Sequence, residues 1–323
     1  MAGRPEDAGF SSKRLEIARG VIKGDVEASR LPGAVLLIAR NGRIAFYDAV
    51  GYQDRAAQLP MRKDVIFRIA SMSKPITTVA AMILAEENKL DVGAPVAQYL
   101  PEFRNVKVGK DGAPPKRPMT VQDLMRHTSG LTYGIFGDSD VDQMYRKANI
   151  FGAKSLEEMV KTIATMPLLH QPGEAWEYSV SVDVLGRVVE VASGTDLDTF
   201  VRERITGPLK MNDTGFWVKP ASVSRLAKAD GAPNAAFEDA TKKPNIFSGG
   251  GGMLSTAGDY ARFCQMLLNG GELEGVRILA PKTIALMTSD QLPPGAERHT
   301  PVAMALGPFG PTPEMGTSFG LGF

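Results

Sequence analysis

Ile76, Val79, Ala80, Ala81, Met82, Ile83, Leu84 and Ala85 follow one another with little polar interruption, and a helix built from them is apolar on nearly all sides. Such a helix has no face to offer water and must be enclosed by the rest of the chain, so this segment sets the centre of the fold. It opens with Ser71-Met72-Ser73-Lys74 and follows the run Val65-Ile66-Phe67-Arg68-Ile69-Ala70. A serine in the first turn can satisfy an otherwise unpaired backbone N–H, and Pro75 is tolerated only near a helix start. The spacing predicts a helix beginning at Ser71, with Lys74 one turn on and over it.

Residues three apart on a helix face the same way, so the Lys74 amine reaches the Ser71 hydroxyl. A serine hydroxyl is a weak nucleophile until a neighbouring base takes its proton. A desolvated lysine can be that base, because burial disfavours its charged form, and the positive field of a helix N-terminus favours negative charge developing at Ser71. No histidine is needed. Serine and lysine are common and the spacing alone is a weak signal, but Ser71 begins the only S-x-x-K in the chain.

Upstream, Leu15, Ile17, Ala18, Val21 and Ile22 recur at helical spacing between charged residues and predict a surface helix over 11–28. Residues 34–39 and 44–50 flank Asn41-Gly42, the dipeptide of tight turns, and predict an antiparallel β-hairpin. Between 86 and 215 no period-two pattern appears, and Thr120 with Asp123 and Ser155 with Glu158 are capping-box pairs that start helices. Further helices are predicted from Val182, over 196–205 and over 260–268, and Gly215-Phe216-Trp217-Val218 reads as a short strand returning to a sheet.

At 323 residues the chain exceeds the size at which one core keeps growing, so two subdomains are expected. Its 37 basic and 36 acidic residues leave a net charge of +1 and no basic patch, which argues against nucleic acid as a partner. No span approaches a membrane helix and the opening Met1-Ala2-Gly3-Arg4-Pro5-Glu6-Asp7 has no apolar signal region, so a cytoplasmic protein is expected. The single cysteine, Cys264, excludes an internal disulfide and reads as a small buried hydrophobe within its helix. His127, His170 and His299 pair at no metal-ligating interval, so a metal is not expected.

Four further segments carry groups that chemistry could use. His127-Thr128-Ser129-Gly130-Leu131-Thr132-Tyr133-Gly134 is turn-rich and follows a helix that Gly130 is placed to stop. Neighbours on a tight loop rarely form a catalytic pair, so His127 is expected to organise the loop rather than act as a base for Ser129. Pro172-Gly173-Glu174-Ala175-Trp176-Glu177-Tyr178-Ser179 brings Tyr178 to a helix start. A buried tyrosine directs its hydroxyl at a partner, and a neighbouring ammonium would lower its pKa from about 10; a packed aromatic is the alternative. Ser248 is followed by four glycines, Gly249 to Gly252, which permit close backbone approach or unusual dihedrals; without a following Gly-Lys-Ser they are not a nucleotide loop. Gly316-Thr317-Ser318-Phe319-Gly320 is formally G-x-S-x-G, but the strand–turn–helix context of that motif is missing, so Ser318 is a decoy.

Ser71-x-x-Lys74, the HTSGL segment at 127–131, the P-G-x-x-W-x-Y-S segment ending at Tyr178 and Ser179, and GGGGMLS at 249–255 stand in an order that resembles the serine β-lactamase and penicillin-binding-protein superfamily, in particular its class C-like esterase branch, the family VIII carboxylesterases. The resemblance implies an α+β fold of the β-lactamase/transpeptidase type, an antiparallel sheet flanked by helices plus an inserted all-helical domain. The sheet-containing domain would comprise 1–85 and 216–323 and the helical domain 86–215. It implies hydrolysis of short-chain acyl esters through an acyl-enzyme: Ser71 attacks, Lys74 and Tyr178 shuttle its proton, and the Ser71 backbone N–H is one oxyanion donor. Tyr133, Gly250 and Gly251 would bind substrate. The implied partner is a small-molecule ester, with no cofactor, and acyl transfer to another alcohol is a close variant.

Two departures bear on substrate. Lactamases of this type usually carry asparagine two residues after the tyrosine, where this chain has Val180, which weakens the case for β-lactam or peptide substrates. Relatives also continue past the F-G-L-G segment into further strands and a third motif, whereas this chain stops at Phe323, so truncation or a weakened enzyme is expected. A β-lactamase or D-amino-acid peptidase, and a non-catalytic binding relative, stay open as alternatives.

Overall fold

The computed structural model describes residues 4–229 and 239–323; residues 1–3, in the N-terminal stretch read above, lie outside it. In chain order the elements are α1 (Ser12–Glu27), β1 (Gly33–Arg40), β2 (Arg43–Asp54), β3 (Leu59–Pro60), β4 (Phe67–Arg68), α2 (Ser73–Glu86), α3 (Val121–Met125), α4 (Asp140–Lys147), α5 (Leu156–Ala164), α6 (Ser181–Ser193), α7 (Leu197–Val201), β5 (Leu254–Ser255), α8 (Ala257–Leu268), β6 (Glu272–Leu273), β7 (Val276–Arg277), α9 (Pro281–Met287) and α10 (Pro301–Leu306). Helices and small antiparallel sheets coexist, the α+β arrangement expected. By internal packing the chain divides into two units: Met1–Ile69 with Thr206–Pro244 and Leu254–Asn269, and Ala70–Ile205 with Asn245–Met253 and Gly270–Phe323. The segment 86–215, read above as the helical domain, lies mostly in the second unit, which also holds α2.

The first unit is built on the predicted hairpin. Asn41 and Gly42 take φ of +50° and +72°, the left-handed pair that suits a two-residue turn to the twist of its strands, and Arg40 pairs with Arg43 across it. β3 adds to the free edge of β2, while α1 packs on β2 and α8 on β1. β4 pairs antiparallel with β5, and Ile66, Val218, Ala240 and Leu254 form a small core beside them. The strand expected at 215–218 is reduced to one antiparallel bridge between Gly215 and Leu254, because the Val218 N–H is taken by the Ala240 carbonyl at 2.8 Å. Cys264 is exposed rather than buried, since Phe263 and Met266 occupy the inward face of α8.

The second unit encloses α2 as its composition demands. Ile76, Val79, Ala80, Ala81 and Leu84 are fully buried, each large side chain contributing about 1.5–3 kcal/mol, with α6 and α7 packed against the helix. No strand element lies between 86 and 215. Thr120 and Asp123 form the reciprocal capping box at the start of α3. Ser155 caps α5 by accepting the Glu158 N–H, but the Glu158 carboxylate turns to the Lys154 N–H, so that box is half made. A second core gathers Trp176, Leu292, Val302 and Ala303, with Phe136, Tyr178, Leu306 and Phe319 against it. No helix of the described residues is long and apolar enough to cross a membrane.

Candidate active site

The central helix starts two residues later than its sequence predicts. Ser71 lies on a 3-10 turn, Ala70–Met72, and α2 begins at Ser73 with no side-chain cap. The Ser71 hydroxyl, expected to satisfy a helix N–H, accepts a hydrogen bond from Lys74 Nζ at 3.2 Å instead. Ala70, just before it, takes φ +45°, a left-handed conformation that costs a non-glycine residue about 1–3 kcal/mol and persists only where its surroundings enforce it. Ser73 supplies part of that enforcement: its hydroxyl donates to the Ala70 carbonyl at 2.7 Å and accepts the Met253 N–H at 3.0 Å. The turn leaves Ser71 exposed and Lys74 buried at 3%.

Lys74 stands on three acceptors: Ser71 Oγ at 3.2 Å, Tyr133 Oη at 3.2 Å and the Gly250 carbonyl at 2.7 Å. An ammonium has three hydrogens to fill that tripod, whereas a neutral amine has two and a lone pair, so one contact must reverse when the proton leaves. Burial pushes the Lys74 pKa down to about 8, against the pull of Asp183. Near neutral pH a minor but substantial fraction is therefore a free amine beside a serine hydroxyl.

Tyr178 comes to the same point from the loop before α6. Its ring lies 4.3 Å from Lys74 Nζ and 5.9 Å, centroid to centroid, from that of Tyr133. The lowered tyrosine pKa expected from a nearby ammonium is not found. Burial pushes Tyr178 up, Asp183 adds to the rise, and a hydrogen bond with Ser71 offsets only part of it. Burial likewise holds Tyr133 well above the ordinary tyrosine value. The amine, not either phenol, is the group that parts readily with its proton.

Gly249 and Gly250 act by close approach. A Cβ on Gly249 would meet the Val182 carbonyl of α6 at 2.8 Å and Thr77 of α2 at 2.9 Å, and one on Gly250 would meet Asp183 Oδ2 at 2.4 Å. Asp183, absent from the sequence reading, ties the loop down: its Oδ1 accepts from the Gly250 N–H at 3.1 Å and from Ser248 Oγ at 2.5 Å. Gly250 thus uses both backbone polar groups inside the protein, one on Asp183 and one on Lys74. Gly251 is half-buried, and its nearest neighbour is the Ala70 backbone.

His127, not Gly130, is the left-handed residue that stops α3, with φ +59° directly after the Arg126 cap. Ser129 ignores it, pairing with Ser181 Oγ at 2.7 Å. Asp123 locks the approach to this turn, accepting from Arg117, Arg126 and Thr128; burial raises its pKa, but the two guanidiniums and the Thr120 N–H outweigh it and hold the carboxyl at about 2. Val180 is fully buried. Ser318 donates to Asp290 in a stretch with neither strand nor helix. Among the described residues no group of three or more His, Cys, Asp or Glu side chains could hold a metal ion.

The chain as a whole is similar to known proteins. Esterase EstB of Burkholderia gladioli is 33% identical over 325 residues, spanning 91% of this chain and 78% of its own. Protein Rv1367c of Mycobacterium tuberculosis is 36% identical over 294 residues, 85% of this chain and 71% of its own. The solved structure of "EstCE1, a hydrolase with promiscuous acyltransferase activity" superposes with a TM-score of 0.75 at 30% identity, covering 95% of this chain and 81% of its own. The fold is thus the β-lactamase/transpeptidase-like one that the motif order implied. A sequence model of the family described as Beta-lactamase matches residues 18–320, from within α1 to the segment that carries Phe319, and this chain belongs to that family.

Proposed function

We propose that this chain is a serine hydrolase, and within that class a carboxylesterase acting on short-chain acyl esters through an acyl-enzyme on Ser71. One observation carries the reading: a buried amine with a pKa of about 8 lies 3.2 Å from an exposed serine hydroxyl. The names of EstB and EstCE1, an esterase and a hydrolase, support it. In the forward step Ser71 Oγ bonds to the ester carbonyl carbon while its proton passes to the neutral Lys74 amine. The oxyanion faces the Ser71 backbone N–H, a preorganised donor of the kind that stabilises such intermediates. As the C–O bond to the alcohol breaks, the leaving oxygen takes the Tyr178 hydroxyl proton and the Lys74 ammonium restores it. Water then adds to the acyl-enzyme by the same relay, giving carboxylic acid and free Ser71.

The high Tyr178 pKa suits a donor rather than a base, and Val180 favours esters over amides. A buried valine has no group to hold a substrate amide, and a site that offers no partner to an N–H or C=O leaves it desolvated at a cost of about 1–3 kcal/mol.

The test is intact-protein mass after treatment with a fluorophosphonate. Ser71→Ala is expected to abolish labelling, Tyr178→Phe to slow it, and Ser318→Ala to leave it unchanged. Labelling that survives in Ser71→Ala, or disappears with Ser318→Ala, refutes the assignment. Turnover of a nitrophenyl ester against a chromogenic cephalosporin then separates esterase from lactamase, with the ester expected to be the faster substrate.

A further inference from the structure

His127 holds the peptide that carries Tyr178 at both of its ends. Its backbone carbonyl accepts the Glu177 N–H at 2.8 Å and its ring Nδ1 accepts the Ser179 N–H at 3.3 Å. Between those two bonds its ring lies on Tyr178, centroids 4.6 Å apart and planes 38° apart. Trp176 and Phe319 close the other sides of the imidazole, at 6.0 Å and 5.6 Å. The left-handed φ of His127 is what turns both its carbonyl and its ring toward the same strip of chain. The ring is fully buried, and Nε2 has no protein partner. Because Nδ1 accepts, the proton of the neutral ring sits on Nε2. Burial first and Lys74 second keep the ring neutral, holding its pKa well below the ordinary histidine value.

We propose that His127 is a positioning residue for Tyr178, a clamp that grips the residues on either side of the tyrosine and fixes the plane of its ring, so that the phenol hydroxyl stays on Ser71. This rests on the Ser71–Lys74–Tyr178 reading above. A loosened tyrosine would still bind substrate but would transfer its proton poorly, and misplacement of a reacting group by about 1 Å can cost a hundredfold in rate.

Two substitutions divide the clamp into its parts. His127→Phe keeps an aromatic ring on Tyr178 but removes the Nδ1 acceptor. His127→Asn keeps an acceptor, tolerates left-handed backbone, and loses the ring. His127→Phe is expected to lower kcat for a nitrophenyl ester about tenfold to a hundredfold with KM within about twofold, and His127→Asn to recover most of that loss. In a Tyr178→Phe background, His127→Phe should change kcat less than about twofold, because residues acting as one unit are not additive. Equal losses in both backgrounds, or a change confined to KM and melting temperature, overturn the clamp alone. An unchanged kcat in Tyr178→Phe overturns the tyrosine's role and the clamp with it. Should His127→Phe fail to fold, 15N NMR of the parent imidazoles decides: an unprotonated Nδ1 on His127 supports the clamp, and a protonated one overturns it.

Discussion

The burial that makes Lys74 costly to the fold also makes it the base in the proposed chemistry. Lowering its pKa from 10.5 to about 8 means that burial disfavours the ammonium by roughly 3 kcal/mol, at about 1.4 kcal/mol per tenfold change in proton affinity. Replacing it with methionine removes that cost but orphans the buried Gly250 carbonyl, worth about 1–3 kcal/mol, so the two effects nearly cancel at neutral pH. Their pH dependence does not cancel. Between pH 8 and 10.5 the unfolded chain holds the Lys74 proton and the folded chain has released it, so parent stability rises with pH across that window. Urea unfolding should show the parent gaining up to about 3 kcal/mol on Lys74→Met from pH 8 to 10.5; a constant difference would mean that the amine is not perturbed. On the proposed mechanism the same titration governs rate. Ester hydrolysis should rise about tenfold per pH unit below pH 8 and level off above it, and a profile flat from pH 6 to 8 would remove Lys74 as the base.

The 249–252 loop works through its backbone, and one methyl group tests it. Gly249→Ala would drive a Cβ to 2.8 Å from the Val182 carbonyl, so the loop must lift from α2 and α6 and take the Gly250 carbonyl off Lys74. Loss of at least tenfold in kcat, with about 1–3 kcal/mol of stability, is expected. Gly215→Ala, whose Cβ would meet nothing within 4 Å, should be neutral in the same assays. The loop also marks where sequence legibility ends. The hairpin, α2, both cap serine and threonine positions and the Ser71–Lys74 spacing are local patterns, and local patterns survive folding. Asp183 was not legible, because its role exists only once residues some 65 positions away pack over it. The Tyr178 pKa moved opposite to expectation because sequence reveals a charged neighbour but not the burial that outweighs it. Cys264 and the stop at His127 turned on which side of a helix faces inward and on a single dihedral angle, and neither follows from residue type alone.

Each compact unit is stitched from three separate stretches of chain, so no contiguous piece contains a whole one. A fragment of residues 70–205 retains Ser71, Lys74, Tyr133 and Tyr178, but lacks the loop at 249–252 and the Leu292, Val302, Ala303 and Phe319 that cover Trp176. Trp176 is its only tryptophan, since the other of the chain's two is Trp217. Its emission should be shifted to the red, as in water, whereas the full chain with Trp217→Phe should emit from an apolar site; a blue-shifted fragment would show that the unit closes without its later segments. The interleaving also has a consequence during synthesis. Some 250 residues separate Ser71 from Phe319, an interval on the order of 12–50 s for a ribosome adding 5–20 residues per second. Throughout that time Ser71 is already made but the wall around Trp176 and Tyr178 is not, so on the proposed mechanism a nascent chain carries an unarmed serine until the segment bearing Phe319 docks.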